Sequence, residues 1–300
     1  MTDEKVSQIW AAQPDEREML GVKAGMKQAF KRMKRKEVHE RFSHMGTCEG
    51  CELCKKVKGC MRRIRTKVDP YKETRPGYCW AMDGITFSDR STQGNLYLVV
   101  LRDMATGAFA FIPLFKKSDV VEEFRRWVSD MRKNPLYANM PYPVVSKVRT
   151  DNESTWGYKA SKWKEMIDEL EVPVQMEYVC PDRHAEENGY AEAACKIVEN
   201  TIKPIMMASN LGPEWWQFCA SNALFLLNRF PALSDDVSVP SDGDRSRPIE
   251  NLTRGHYSRR MIDRELSYYI PCGVPALVHD PHIKGSKLAP RTRWAVACGM

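Results

Sequence analysis

Three runs rich in β-forming residues follow one another with little between them: YCWAMDGITF (78–87), NLYLVVLRDM (95–104) and AFAFIPLF (108–115). Strands joined by such short loops suggest an antiparallel meander. A helical pattern comes next, DVVEEFRRWVSDMRK, with Val120, Val121, Phe124, Trp127 and Val128 on one face and Ser118 or Asp119 as its cap. The run PVVSKVRT (143–150) reads as a strand, KASKWKEMIDEL (159–170) as a helix and VPVQMEYV (172–179) as a strand. Long helices are predicted over 187–210 and 213–229, the second opened by Gly212-Pro213. The order βββ-α-β-α-β-α-α defines an α/β fold, a mixed sheet flanked by helices.

The flanking segments differ in character. Between Lys23 and Lys67 stand 15 Lys and Arg against four acids, Glu37, Glu40, Glu49 and Glu52. A lobe this basic fits either a polyanion partner or a solvated face. The stretch 234–248, SDDVSVPSDGDRSRP, has linker composition. Beyond it, VPALVHD and RWAVACGM read as short strands around the basic loop PHIKGSKLAPRTR, a small β module. The first residues lack a signal-peptide layout, and no apolar run reaches membrane-spanning length. The expectation is a cytosolic or nuclear protein with no membrane partner.

Ten cysteines in 300 residues do not make a disulfide scaffold, but four of them crowd together. HERFSHMGTCEGCELCKKVKGC offers His39, His44, Cys48, Cys51, Cys54 and Cys60. A closed tetrahedral zinc site takes four N or S ligands, commonly with C-x₂-C spacing. Both Cys48-x₂-Cys51 and Cys51-x₂-Cys54 satisfy it, and the bland alternative is a set of reduced cysteines in a basic arm.

Several carboxylates stand out by position. Asp83 lies inside the first strand beside Gly84, where Asp is disfavoured and a close approach is possible. Asp151 ends the fourth strand, a common place for ligand-binding groups, although Asp-Asn is also ordinary turn chemistry. The segment CPDRHAEENGYAEAACK adds Asp182, Glu186, Glu187 and Glu192. Acids from inside the first strand, the end of the fourth and a helix can supply the hard oxygen ligands that suit Mg²⁺ or Mn²⁺. The chain lacks the local signatures of serine and cysteine hydrolases and a P-loop.

In order, MDGITF, GNLYLVVLRD, VRTDNE and EENGYAEAACKIVENTI resemble the D,D-x-E core of integrases, most nearly those of copia-type LTR retrotransposons, a retroviral-integrase-like family. WWQFCASNALFLLNRFP is similar to the helix that ends that core, and the segment from RPIENLTRGHYS onward to that family's SH3-like barrel. The resemblance runs from about residue 39 to the end. It implies an RNase H-like fold, DNA 3′-end processing and strand transfer, and two catalytic Mg²⁺ or Mn²⁺ ions. It also implies one structural Zn²⁺ and a homo-multimer acting on element ends and target DNA.

On that resemblance the chain divides into a basic helical arm (1–38), an abbreviated His/Cys zinc module (39–65) and a linker (66–77). The catalytic core (78–232), a second linker (233–247) and an SH3-like β module (248–300) follow. Asp83, Asp151 and Glu192 are carried over as catalytic metal ligands. His39, His44, Cys51 and Cys54 are carried over as zinc ligands, with Cys48 or Cys60 as substitutes because only six residues separate His44 from Cys51. Lys196, Lys203, Lys284, Lys287, Arg291 and Arg293 are the DNA-binding candidates, Lys196 and Lys203 sharing a helical face with Glu192. Alone, that face reads as an ordinary Glu–Lys surface pair.

Two departures stand out. Glu153 occupies a position where the family has a small residue. Thirty-five residues separate Asp151 from Glu187, the spacing of retroviral relatives, and forty separate it from Glu192. Glu192 follows Gly189 by three as the family's local motif requires. Loop length varies at little cost while side-chain placement on a helix does not, so Glu192 is preferred. The alternatives are a non-catalytic DNA- or RNA-binding relative and an RNase H-like nuclease.

Overall fold

A computed structural model describes residues 39, 51–53, 73–151, 153–157, 159–179, 189–230, 247–279 and 292–297. Its centre is a five-stranded sheet. Strands β1 (Cys79–Thr86), β2 (Tyr97–Asp103) and β3 (Phe109–Leu114) form the antiparallel meander. Strands β4 (Lys147–Thr150) and β5 (Gln175–Tyr178) add in parallel on the other side of β1, giving the order β3-β2-β1-β4-β5. The first strand is thus the middle one, covered on both faces. This is why β1 and β2 read as nearly continuous apolar runs.

The two sheet faces bury different residues. Trp80 and Met82 of β1, Val99 and Leu101 of β2 and Ile112 and Leu114 of β3 pack under α1 (Val120–Lys133) and α2 (Ser161–Asp168). Helix α1 contributes Val120, Phe124 and Val128, and α2 contributes Trp163, Met166 and Ile167. The alternate residues Ile85, Leu98, Val100 and Phe109 meet α3 (Gly189–Ser209) and α4 (Trp216–Arg229) on the opposite face. At the β3 edge, buried Asn228 of α4 stands in for a missing strand. Its Oδ1 accepts from Phe109 N at 2.7 Å and its Nδ2 donates to Phe109 O at 2.9 Å.

Some boundaries differ from the sequence expectation for identifiable reasons. Strand β4 starts at Lys147 because Val145 adopts a left-handed conformation, φ 54°. The Arg132 guanidinium holds that bend by donating to Val144 O at 3.2 Å and Val145 O at 3.0 Å. Asp119 stands at the N-cap of α1 as expected, but its side chain makes no cap bond to that helix. Its Oδ2 accepts from Lys116 N at 2.9 Å and closes a 3₁₀ turn over Lys117–Asp119 ahead of α1.

The C-terminal segment contains more helix than its strand signals suggest. Helices α5 (Pro248–Leu252) and α6 (Arg259–Ser267) precede a two-stranded antiparallel pair, β6 (Pro275–His279) and β7 (Thr292–Val296). Ile262, Leu266, Tyr269 and Cys272 are buried with α3 and α4, so residues 259–272 pack onto the core. The Tyr269 hydroxyl donates to Asn222 Oδ1 at 2.6 Å, and the sulfurs of Cys272 and Cys219 lie 3.8 Å apart. Only the β6–β7 pair, among the described residues, corresponds to the expected β module. No helix of the described residues is long and apolar enough to cross a membrane.

Candidate active site

The register of β1 against β4 sets two carboxylates side by side. Met82 pairs with Thr150, the last residue of β4, so Asp83 and Asp151 are the next residues along two adjacent parallel strands. Asp83 shares its sheet face with Ala81 and Ile85, because side chains alternate along a strand. That is the face covered by α3, whose Ala191, Ala194, Cys195 and Val198 are buried. Glu192 belongs to the first turn of α3 and is exposed beside this buried stripe.

Asp83 reports on the company it keeps. Its Oδ1 accepts from Gly84 N at 2.7 Å. Burial pushes its carboxyl above the usual carboxylate range, and the negative charges of Asp151 and Glu192 push it further the same way. The Gly84 amide and the Cys195 thiol act against this by bonding to the carboxylate. The Cys195 thiol itself is pushed well up, first by its own burial and then by the charge of Asp83.

The third acid is positioned through its helix. The Tyr190 hydroxyl donates to Asp103 O at 3.1 Å, and the Arg102 guanidinium lies 4.5 Å from the Tyr190 ring centroid. These interactions tie the start of α3 to the end of β2. Glu192 Oε2 is 3.9 Å from Lys196 Nζ, and further along the helix Lys203 Nζ is 3.3 Å from Glu199 Oε2. Lys196 and Lys203 therefore lie on the predicted face, each beside a glutamate. Among the described residues, no three His, Cys, Asp or Glu side chains are gathered tightly enough to grip a metal ion.

Two residues at this site were missed in the sequence. Trp156 is fully buried, and its Nε1 donates to Asp151 Oδ1 at 3.1 Å. A Cβ added at Gly84 would meet the Trp156 ring at 3.0 Å, so this glycine permits the close approach its position suggested. The second is Lys117, whose Nζ is 2.6 Å from Glu153 Oε1. Glu153, the departure from the family pattern, thus has a cation partner across the site. A strand Gly next to an Asp, with a Trp five residues past the second Asp, is the pattern that foreshadows the first of these. The Lys117–Glu153 pairing leaves no local signature, because 35 residues separate its partners.

The remaining expected ligands are distributed unevenly. His39 and Cys51 are both buried, while His44, Cys48, Cys54 and Cys60 lie outside the described residues. So do Asp182, Glu186, Glu187, Lys284, Lys287 and Arg291. Arg293 lies on β7 opposite Val278.

No family model and no curated protein matches the chain. Among solved structures, the chain is similar to one in the simian T-cell lymphotropic virus intasome in complex with PP2A regulatory subunit B56 gamma. That match has 13% identity and a TM-score of 0.43, and covers 72% of this chain and 71% of that one. It is also similar to the HTLV-2 integrase catalytic core domain in complex with magnesium, in trimeric and dimeric forms. The trimeric form is 16% identical with a TM-score of 0.38, covering 57% of this chain and 94% of that one. The dimeric form is 15% identical with a TM-score of 0.38, covering 59% and 97%.

Proposed function

We propose that this chain is an integrase-type polynucleotidyl transferase that processes DNA 3′ ends and joins them to target DNA. The observation that carries the reading is the β1–β4 register, which sets Asp83 and Asp151 side by side, with Glu192 close enough for its charge to act on Asp83. The ordered motifs around these residues agree with it. The all-oxygen donor set fits Mg²⁺ or Mn²⁺, and clustered negative charge is what a divalent cation offsets. Asp83, Asp151 and Glu192 would hold two such ions, which supply activation of the attacking hydroxyl and stabilisation of the leaving oxygen.

The chain's own residues do the positioning. Trp156 fixes one oxygen of Asp151, and the Gly84 amide with the Cys195 thiol fixes Asp83. Lys196 and Lys203 extend a cationic line along α3 from Glu192 toward the strand's phosphates. His39, His44, Cys51 and Cys54, with Cys48 or Cys60 as substitutes, are proposed to close one structural zinc site. Lys284, Lys287, Arg291 and Arg293 are proposed DNA-binding residues of the C-terminal module. The working unit is proposed to be a homo-multimer on DNA, in the nucleus or in a particle bound for it.

The test is strand transfer of a short labelled duplex in Mg²⁺ or Mn²⁺, comparing the wild type with Asp151→Asn and Glu192→Gln. Product from the wild type alone supports the reading. A second reading, a non-catalytic nucleic-acid-binding relative, is favoured by the pairing of Glu192 with Lys196 and the absence of a tight three-carboxylate group among the described residues. It predicts DNA binding without transfer in every protein. Cleavage confined to RNA–DNA hybrids would instead identify an RNase H-like nuclease.

A further inference from the structure

At the end of the sheet where Asp151 lies, a second group of side chains is assembled that the carboxylate chemistry does not use. Leu114 at the end of β3 pairs with Tyr97, and Tyr97 pairs with Thr86 at the end of β1. Phe115, Lys116 and Lys117 follow directly on Leu114 and are exposed. Phe115 is 47% exposed, large for a residue beside a buried strand. It rests against the turn at Gly94, where an added Cβ would come within 3.4 Å of the ring. The Arg90 guanidinium stands 4.4 Å from its centroid and Lys116 Nζ 5.9 Å. Arg90 is itself anchored, with Nη1 donating to Gly94 O at 2.8 Å.

An exposed aromatic side chain with cations around it is the arrangement that stacks a base and neutralises the adjoining phosphates. Lys117 extends this rim to the carboxylates. Its Nζ pairs with Glu153 Oε1 at 2.6 Å, and Glu153 and Asp151 both favour its charged form. Both partners remain partly exposed, so the pair contributes little to stability and opens at low cost.

We propose that Arg90, Phe115, Lys116 and Lys117 form a binding site for a nucleic-acid strand, with Glu153 the internal counter-ion that a strand phosphate displaces from Lys117. The displacement exchanges one anion for another on Lys117 and leaves Glu153 to solvent. The site rests on the reading above only for its purpose, which is to lead a strand to Asp151. Its occupancy is a separate measurement.

The experiment uses the full chain and short fluorescein-labelled DNA, single-stranded and duplex, with EDTA present. Affinity is read by fluorescence anisotropy over a series of salt concentrations. Phe115→Ala is expected to weaken single-strand binding roughly 5- to 150-fold. The double variant Lys116→Gln, Lys117→Gln is expected to flatten the salt dependence. The slope falls by about 0.7 on single strands, and about 0.9 on duplex, for each phosphate the protein no longer neutralises. Lys117→Arg keeps the wild-type slope, and Glu153→Gln tightens binding. Melting temperatures check that each variant folds.

Unchanged affinity for Phe115→Ala with unchanged salt slopes for the lysine variant overturns the site. So does a loss of slope with no effect of Phe115→Ala, which would mark a merely solvated basic rim. The same proteins are run in the strand-transfer assay. Binding changes as predicted without transfer by the wild type retain this site and remove the catalytic reading. Transfer with binding unmoved does the reverse.

Discussion

Trp156 Nε1 donates to Asp151 Oδ1 at 3.1 Å while the same indole presses on Gly84, the neighbour of Asp83. One buried ring therefore touches the backbone of β1 beside the first acid and the side chain of the second. Trp156→Phe keeps an aromatic ring and removes the N–H, so the fold survives while Asp151 gains freedom. Loss of such an orienting bond is expected to lower strand transfer or metal affinity about 10- to 100-fold. Trp156→Ala also opens a cavity and is expected to cost ~3–5 kcal/mol of stability. A Phe variant with wild-type rate and metal titration would reduce Trp156 to packing.

Glu192 and Glu187 make opposite predictions. If the helix register governs, Glu192→Gln reduces transfer to background while Glu187→Gln stays active. If the 35-residue spacing governs, the two outcomes exchange. Because Glu192 is exposed and pairs loosely with Lys196, Glu192→Gln should leave the melting temperature unchanged, so a loss of transfer reads chemistry and not folding.

The antiparallel meander and the covering helices were legible in the sequence because period and turn spacing are local properties. Asp83 was legible as an anomaly, an acid inside an apolar strand. What escaped is non-local. Trp156 and Lys117 act through partners that local pattern does not name. The helical character of 248–267 was masked by strand signals further on, since VPALVHD and RWAVACGM are strongly β-like while α5 and α6 are short. The strand expected from Pro143 was shortened by a left-handed Val145, which no propensity anticipates.

Asp103 makes stability depend on pH. It is wholly buried at the end of β2, where Oδ1 accepts from Gly77 N at 2.9 Å and Oδ2 from Thr106 N at 2.9 Å and Thr106 Oγ1 at 2.7 Å. Burial nevertheless dominates and pushes the carboxyl up to about 7, with the Tyr137 and Tyr190 phenols nearby, both themselves pushed up. Between the ordinary Asp value, 3.8, and about 7, the folded chain holds a proton there that the unfolded chain has lost. This contribution to stability is therefore full below the lower value and lost as pH rises through the upper one. Melting temperature should fall across that window in the wild type. Asp103→Asn should remove the slope and cost ~1–3 kcal/mol at the acid end of the window, because its amide faces the Thr106 N–H donor, with the deficit narrowing as pH rises and the wild type loses its own contribution. An unaltered slope in the variant would assign the pH dependence elsewhere.

Where the core ends is decided by residues 259–272. Ile262 and Leu266 are fully buried on the α3–α4 face, and burying such side chains is worth ~1.5–3 kcal/mol each. Tyr269 adds its bond to Asn222, both groups buried. Those contributions together reach the low end of the ~5–15 kcal/mol net stability of an ordinary domain. A chain ending at Phe230 should thus be insoluble or melt without a cooperative transition, although the linker composition after it invites that cut. A chain ending at Gly273 should retain a single sharp transition. Within the full chain, Tyr269→Phe leaves Asn222 Oδ1 buried without its donor and should cost ~1–3 kcal/mol. Calorimetry of the three proteins checks this. A chain ending at Phe230 that melts like the full chain would make residues 259–272 an appendage, and the core would then close at α4.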